Sequence, residues 1–173
     1  LPGGDRCARE TWRCAAAALH AAGLGSRIAG RFATEALAPA VARLLDGGGV
    51  PATSSAGRWF DAACGLAGLH WHAHYEGQAP MALEALVRTT EVVPAGWSCD
   101  GGGLDLRPLV AHLVDADAPT VADRFHGTLC AALADWCYRA AMRHDTRVVA
   151  LSGGCFLNRV LAEGVAAALR AAG

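Results

Sequence analysis

The residues of this chain best suited to chemistry stand where its pattern changes most abruptly. Arg147-Val148-Val149-Ala150-Leu151 is a short β-branched run, Ser152-Gly153-Gly154 follows it, and Leu157 to Ala172 resumes helical spacing. That order predicts a buried strand, a tight turn and a helix. A Gly-Gly turn at such a junction lets the backbone approach an anion closely, while exposed N–H groups and the helix dipole stabilise its charge. Asn158, early in the helix, adds an amide that both donates to and accepts from a purine ring. Taken alone, a Gly-Gly turn after a strand is most often structural, so the reading needs support from elsewhere in the chain.

Other reactive side chains are weaker candidates. His70, His72 and His74 alternate, and on a strand all three point to one face at metal-ligand spacing, although a solvent-facing edge accounts for them equally well. The seven cysteines, Cys7, Cys14, Cys64, Cys99, Cys130, Cys137 and Cys155, are odd in number and contain no C-x-x-C pair. This argues against both a zinc ribbon and a disulfide framework. They are expected to be mostly small buried apolar residues.

The elements that must position these residues are mainly helical. Asp5 can cap a helix through Arg9-Glu10-Thr11-Trp12 and the alanine run to Ala22, with Gly23 as a left-handed stop. A second helix is expected from about Thr34 to Leu45, ended by Gly47-Gly48-Gly49, and a third from about Gly57 through Phe60, Cys64 and Leu66 to Leu69. A short segment from Leu69 to Tyr75 leads into a fourth helix holding Met81, Leu83, Leu86 and Val87. Val92 to Asp105 reads as strand and turn, with a reversal at Gly101-Gly102-Gly103, and a long amphipathic helix runs from Pro119 toward Arg143. Trp12, Trp59 and Trp136 are expected in the core.

Composition narrows the function. Hydrophobic residues make up 53% of the 173 residues and charged ones 18%, which favours a folded, helix-rich unit over disorder. Fifteen basic and 16 acidic residues give a formal charge of -1 and form no basic run, so nucleic acid is a poor partner. No stretch reaches the roughly 18 apolar residues of a spanning helix, and Leu1-Pro2-Gly3-Gly4-Asp5-Arg6 lacks a secretory h-region; no membrane and a cytoplasmic location are expected.

Five segments together resemble one family. Leu1-Pro2-Gly3-Gly4-Asp5 with Arg9-Glu10-Thr11-Trp12-Arg13 is similar to L-P-G-G-D…R-E-P-W-R of the HypF-type carbamoyltransferases. Thr53-Ser54-Ser55-Ala56-Gly57-Arg58-Trp59-Phe60-Asp61-Ala62 resembles their T-S-S-x-G-R-x-F-D-A, and Tyr75-Glu76-Gly77-Gln78-Ala79-Pro80-Met81 their Y-E-G-Q-A-A-M. Phe125-His126 with Leu129 matches F-H-x-x-L, and Leu151 through Arg159 resembles L-S-G-G-V-F-Q-N-R with Cys155 and Leu157 as departures.

The resemblance implies an α/β, helix-rich fold. It would be part of a sugar-kinase/Hsp70/actin-like, ribonuclease H-like nucleotide-binding lobe, shared with the tRNA threonylcarbamoyl transferases. Carried over, Asp61 meets the nucleotide ribose, Gly77 lines the same cleft, and Gly153, Gly154 and Asn158 hold phosphates and purine. A carboxylate accepts both ribose hydroxyl protons, and glycines leave room for the ligand. Glu76 and Gln78 contact ligand or cap the fourth helix, Arg58 stands where the tRNA-modifying relatives carry glutamate, and His126 is expected to make a structural hydrogen bond. The family motif omits His70, His72 and His74, which favours the solvent-facing edge.

The implied chemistry starts from carbamoyl phosphate and ATP. These give a carbamoyladenylate, whose carbamoyl group passes to the C-terminal cysteine of a HypE-type acceptor during cyanide-ligand synthesis for nickel-iron hydrogenase. A divalent metal, zinc or iron, is implied for the full-length family, with ligands in histidine and aspartate segments outside this chain. Residues 1–173 are accordingly expected to form a single partial domain, cut short at both ends. An antibiotic O-carbamoyltransferase and a non-catalytic nucleotide-binding or interaction fragment are the alternatives.

Overall fold

Small side chains decide how the centre of the molecule is built. In the computed structural model, which describes residues 1–100 and 102–172, α1 (Thr11–Ala21) and α4 (Ala56–Leu66) are buried along most of their length and cross closely. At Gly65 of α4 an added methyl would lie 2.8 Å from both the Ala15 side chain and the Thr11 carbonyl oxygen. The alanine run and this glycine therefore set the spacing of the two helices.

Around this pair stand α2 (Ile28–Arg31), α3 (Ala38–Asp46), α5 (Gln78–Ala85), α6 (Arg107–Leu113), α7 (Ala118–Arg143) and α8 (Arg159–Ala172). α7 packs on α8 and supplies Phe125, whose ring meets Phe60 of α4 edge-on at 4.9 Å. Trp12, Phe32, Leu19, Ile28 and Leu66 complete the apolar centre. Asp117 caps α7 by accepting from the Thr120 N–H at 2.9 Å. No helix among the described residues is long and apolar enough to cross a membrane.

The helix-rich character holds, and Gly23, Gly48 and Gly49 take the positive φ values that helix stops require. Cys7, Cys14, Cys64 and Cys130 are buried, and all seven cysteines are free. Several local expectations are corrected. Asp5 caps nothing, because Gly4–Ala8 forms a separate 3-10 turn ahead of α1. The second long helix starts at Ala38 rather than Thr34, with Pro39 in its first turn, the position proline favours. α6 was not anticipated, although Pro108 in its first turn and Asp105, which accepts from the Arg107 N–H at 2.8 Å, mark a helix start. Trp136 is half-buried at a surface groove, its indole N–H donating to the Gly102 carbonyl, and does not belong to the core.

Two expected strands are absent. The single sheet among the described residues is an antiparallel hairpin of β1 (Ser98–Asp100) and β2 (Gly103–Asp105), paired Cys99 to Leu104. Its reversal falls where the glycine run predicts; Gly101 lies outside the described residues. Residues 147–151 form no strand, and Val148 is 81% exposed. A β-branched run has extended preference but needs a neighbour for its ladder, and no described strand lies beside it. Residues 70–75 are turns and bends, with His70 at φ 44, so the three histidines share no strand face. His72 instead pairs with Glu35 at 2.8 Å.

Candidate functional site

Asp61 lies on the second turn of α4, facing inward and 4% exposed. One turn earlier, Arg58 brings its Nη2 to 2.9 Å from Asp61 Oδ2. The contact is an ion pair without hydrogen-bond alignment, since Oδ2 accepts no hydrogen bond while fully covered. Burial pushes the carboxyl up to about 6, with Arg58 pulling against it. Several thiols feel the carboxylate's charge. Burial, reinforced by the Asp61 charge, raises Cys64 to about 12, and burial likewise raises Cys155. Cys14 hydrogen-bonds toward Cys7, which raises Cys14 and lowers Cys7 to about 7.

The glycine turn sits beside this pair. Gly153 has φ 99 and ψ 161, a backbone conformation in essence closed to residues with a Cβ. Its carbonyl accepts from the Phe156 N–H at 3.1 Å and so starts the 3-10 turn Gly154–Leu157, which packs on α4. Cys155 Sγ in that turn lies 4.0 Å from where a Gly57 side chain would begin, and its thiol feels both Arg58 and Asp61. A methyl at Gly153 or Gly154 would meet nothing within 4 Å, so the turn opens outward.

Asn158 stands behind the turn, buried, with its side chain engaged by the protein. Its Oδ1 accepts from the Leu161 N–H at 2.8 Å, capping α8, and its Nδ2 lies 3.0 Å from His126 Nε2. His126 Nδ1 faces the Ala122 carbonyl at 2.9 Å. A carbonyl only accepts, so the ring proton resides on Nδ1 and Nε2 accepts from Asn158. Burial lowers the histidine pKa and keeps the ring neutral. His126 thus has the structural hydrogen bonds expected of it.

Gly77 precedes α5 at φ 84 with open space around it, and Gln78 Oε1 accepts from the His74 N–H at 2.7 Å. α5 packs on α4, and its Glu84 accepts from the Arg159 N–H at 2.8 Å, tying it to the start of α8. Among the described residues no hydrogen bond or ion pair joins Gly77 to Asp61 or to the glycine turn. The structure therefore sets the 3-10 turn that follows Gly153 against α4, the helix that carries Asp61, uses Asn158 as a buried cap, and leaves Gly77 at a neighbouring helix start. Sequence reading did not assign Arg58 or Cys155 to the cluster. The i, i+3 spacing of Arg58 and Asp61 was the available signal. A groove of about 280 Å³ between α1 and α4 reaches Arg58, Ser55 and Trp59 but neither Asp61 nor the glycine turn.

A family model described as carbamoyltransferase, Kae1-like domain, second subdomain matches residues 1–173. The chain is 48% identical over 177 residues to carbamoyltransferase HypF of Rhizobium leguminosarum bv. viciae, covering 100% of this chain and 23% of that relative. It is 41% identical to carbamoyltransferase HypF2 of Cupriavidus necator, covering 100% of this chain and 25% of the other. A crystal structure of full-length HypF in the phosphate- and nucleotide-bound form shares the fold, with TM-score 0.83, 23% identity, and coverage of 100% of this chain and 24% of that one. The chain thus spans about a quarter of these relatives. It belongs to the HypF carbamoyltransferase family, as the second subdomain of the Kae1-like domain.

Proposed function

We propose that this chain is the nucleotide-positioning lobe of a cytoplasmic carbamoyltransferase in nickel-iron hydrogenase maturation. The observation that carries the reading is the buried Asp61 carboxylate, with one oxygen free of hydrogen bonds, beside an outward-opening Gly153-Gly154 turn. A solved relative in a phosphate- and nucleotide-bound form supports the same ligand class. Asp61 takes ribose hydroxyls and the turn's N–H groups take phosphate. Gly77 leaves its helix start open, and Asn158 holds the turn and α8 in register.

The whole enzyme makes carbamoyladenylate from carbamoyl phosphate and ATP. The C-terminal cysteine thiolate of a HypE-type acceptor then attacks the carbamoyl carbon. A C–S bond forms, the C–O bond to AMP breaks, and AMP departs with the electron pair. This lobe contributes by holding the adenosine phosphate in place rather than by making or breaking bonds. Among the described residues no three His, Cys, Asp or Glu side chains are grouped to hold a metal.

The test is titration of ADP into the 15N-labelled chain. Saturable amide shifts at Gly153 and Gly154, abolished in Asp61→Asn, are expected. Unmoved resonances at millimolar ADP sink the reading and favour a non-catalytic interaction fragment.

A further inference from the structure

Asp61 is poised for a ligand and yet covered. Its Oδ2 has no hydrogen bond, its side chain is 5% exposed, and the guanidinium of Arg58 lies 2.9 Å from that oxygen. Cys64 lies one turn further along the same helix, and the charge of Asp61 raises the thiols of Cys64, Cys14 and Cys155. A ligand hydroxyl reaches Oδ2 only when this cover shifts. Arg58 is the part able to shift: its side chain is 24% exposed, on a long flexible stem, whereas the thiols are held by packing.

The pairing also leaves Arg58 underused. One nitrogen meets the carboxylate without hydrogen-bond alignment, and no other ion pair is made by Arg58 among the described residues. An arginine carries five N–H donors in a planar fork suited to phosphate. The turn at 153–154 offers phosphate its backbone donors, and Cys155, next in sequence, has its Sγ 4.0 Å from where a side chain on Gly57, the neighbour of Arg58, would begin. A phosphate on that turn therefore lies near the first turn of α4, which bears Arg58.

We infer that Arg58 exchanges partners on binding, leaving Asp61 for the phosphate of the nucleotide and so uncovering the carboxylate for the ribose. The inference rests on the nucleotide reading above and adds a residue to it. The exchange makes recognition of ribose conditional on the phosphate: a nucleoside must compete with Arg58 for Asp61, whereas a nucleotide supplies Arg58 with a replacement. Arg58 is thus the residue that sets preference for phosphorylated over unphosphorylated adenosine.

The test compares ADP with adenosine by calorimetry at pH 8, where Asp61 is ionised. The parent chain is expected to bind ADP more tightly than adenosine. Arg58→Met is expected to lose about tenfold or more in ADP affinity, the order of one charge-assisted hydrogen bond. Adenosine affinity should stay level or improve, because the cover is gone. Arg58→Lys should recover part of the ADP preference. If circular dichroism shows that Arg58→Met does not fold, Arg58→Gln, which keeps a polar group beside the Asp61 carboxylate but no charge, carries the comparison. Binding by the parent chain with the same ADP-to-adenosine ratio in the Arg58 variants overturns the inference and leaves the nucleotide reading standing. Failure of the parent chain to bind either ligand removes both.

Discussion

At residue scale the buried carboxyl of Asp61 makes a prediction of definite sign. Its pKa rises from 3.8 to about 6, so between those values the folded chain binds a proton that the unfolded chain has released. Stability contributed by this group is present below pH 4 and is lost as pH rises through 6. The shift corresponds to about 3 kcal/mol, at about 1.4 kcal/mol per tenfold in the ionisation constant. Asp61→Asn is therefore expected to be more stable than the parent chain at pH 7.5, by up to about 3 kcal/mol, with the difference shrinking toward pH 4. Urea denaturation of both proteins at the two pH values measures it. A difference constant with pH would mean that the charge is not what burial penalises. Stability gained where nucleotide binding is lost is the pattern of a residue kept for its ligand. Gly153 makes the complementary case. At φ 99 it faces open space, so Gly153→Ala introduces strain without collision. A loss of about 1–3 kcal/mol is expected, read as a lowered urea midpoint, together with weaker ADP binding from misdirected N–H groups.

At the scale of elements, the turn is held in place by the hydrogen-bonded chain from Ala122 through His126 and Asn158 to the start of α8. His126 is fully buried and neutral, and protonation would set an N–H against the Asn158 amide donor. With its folded pKa below the ordinary 6.5, its contribution is complete above that value and is lost as pH falls through it. His126→Ala is expected to cost about 3 kcal/mol near pH 8, from the cavity and the stranded amide together. The cost should shrink at pH 5.5, and a thermal-melting series against pH would show whether it does. The helices bearing these groups were legible from spacing: α1, α4, α7 and α8 fall where alanine and leucine stripes place them, within a few residues. The strand at 147–151 was misread because composition encodes extended preference, whereas a strand requires a partner. Asp61 and the glycine turn were found as motifs, and the family resemblance implied one cleft for both, but the contact of Cys155 with the start of α4 was not foreseen. That contact joins residues almost a hundred positions apart, and neither segment carries a local sign of the other. The cover of Arg58 over Asp61 was likewise out of reach, since i, i+3 spacing permits a pair without fixing it.

At the scale of the whole molecule, the open turn has consequences for what the chain does alone. Gly77, Gly153 and Gly154 all face space in which an added methyl meets nothing, and Val148 lies largely uncovered nearby in sequence. In the proposed complex, a ligand on the glycine turn is held from one side. One-sided contacts can bind a nucleotide, but acyl transfer also requires the thiolate and carbamoyl carbon to be fixed at near-attack distance with water excluded. The described residues offer no grouping of side chains for that second task beyond the Asp61 cluster, whose carboxylate is engaged with ribose in the proposed complex. The 173-residue chain is therefore expected to bind ADP and to transfer no carbamoyl group. With ATP, carbamoyl phosphate and a HypE-type C-terminal peptide, mass spectrometry should show unmodified peptide. The full-length Rhizobium leguminosarum relative, which the chain spans for 23% of its length, should carbamoylate the same peptide. Steady modification of the peptide by the 173-residue chain would assign bond-making to these residues. The Asp61 cluster would then have to be read as a reaction centre rather than a holder of nucleotide.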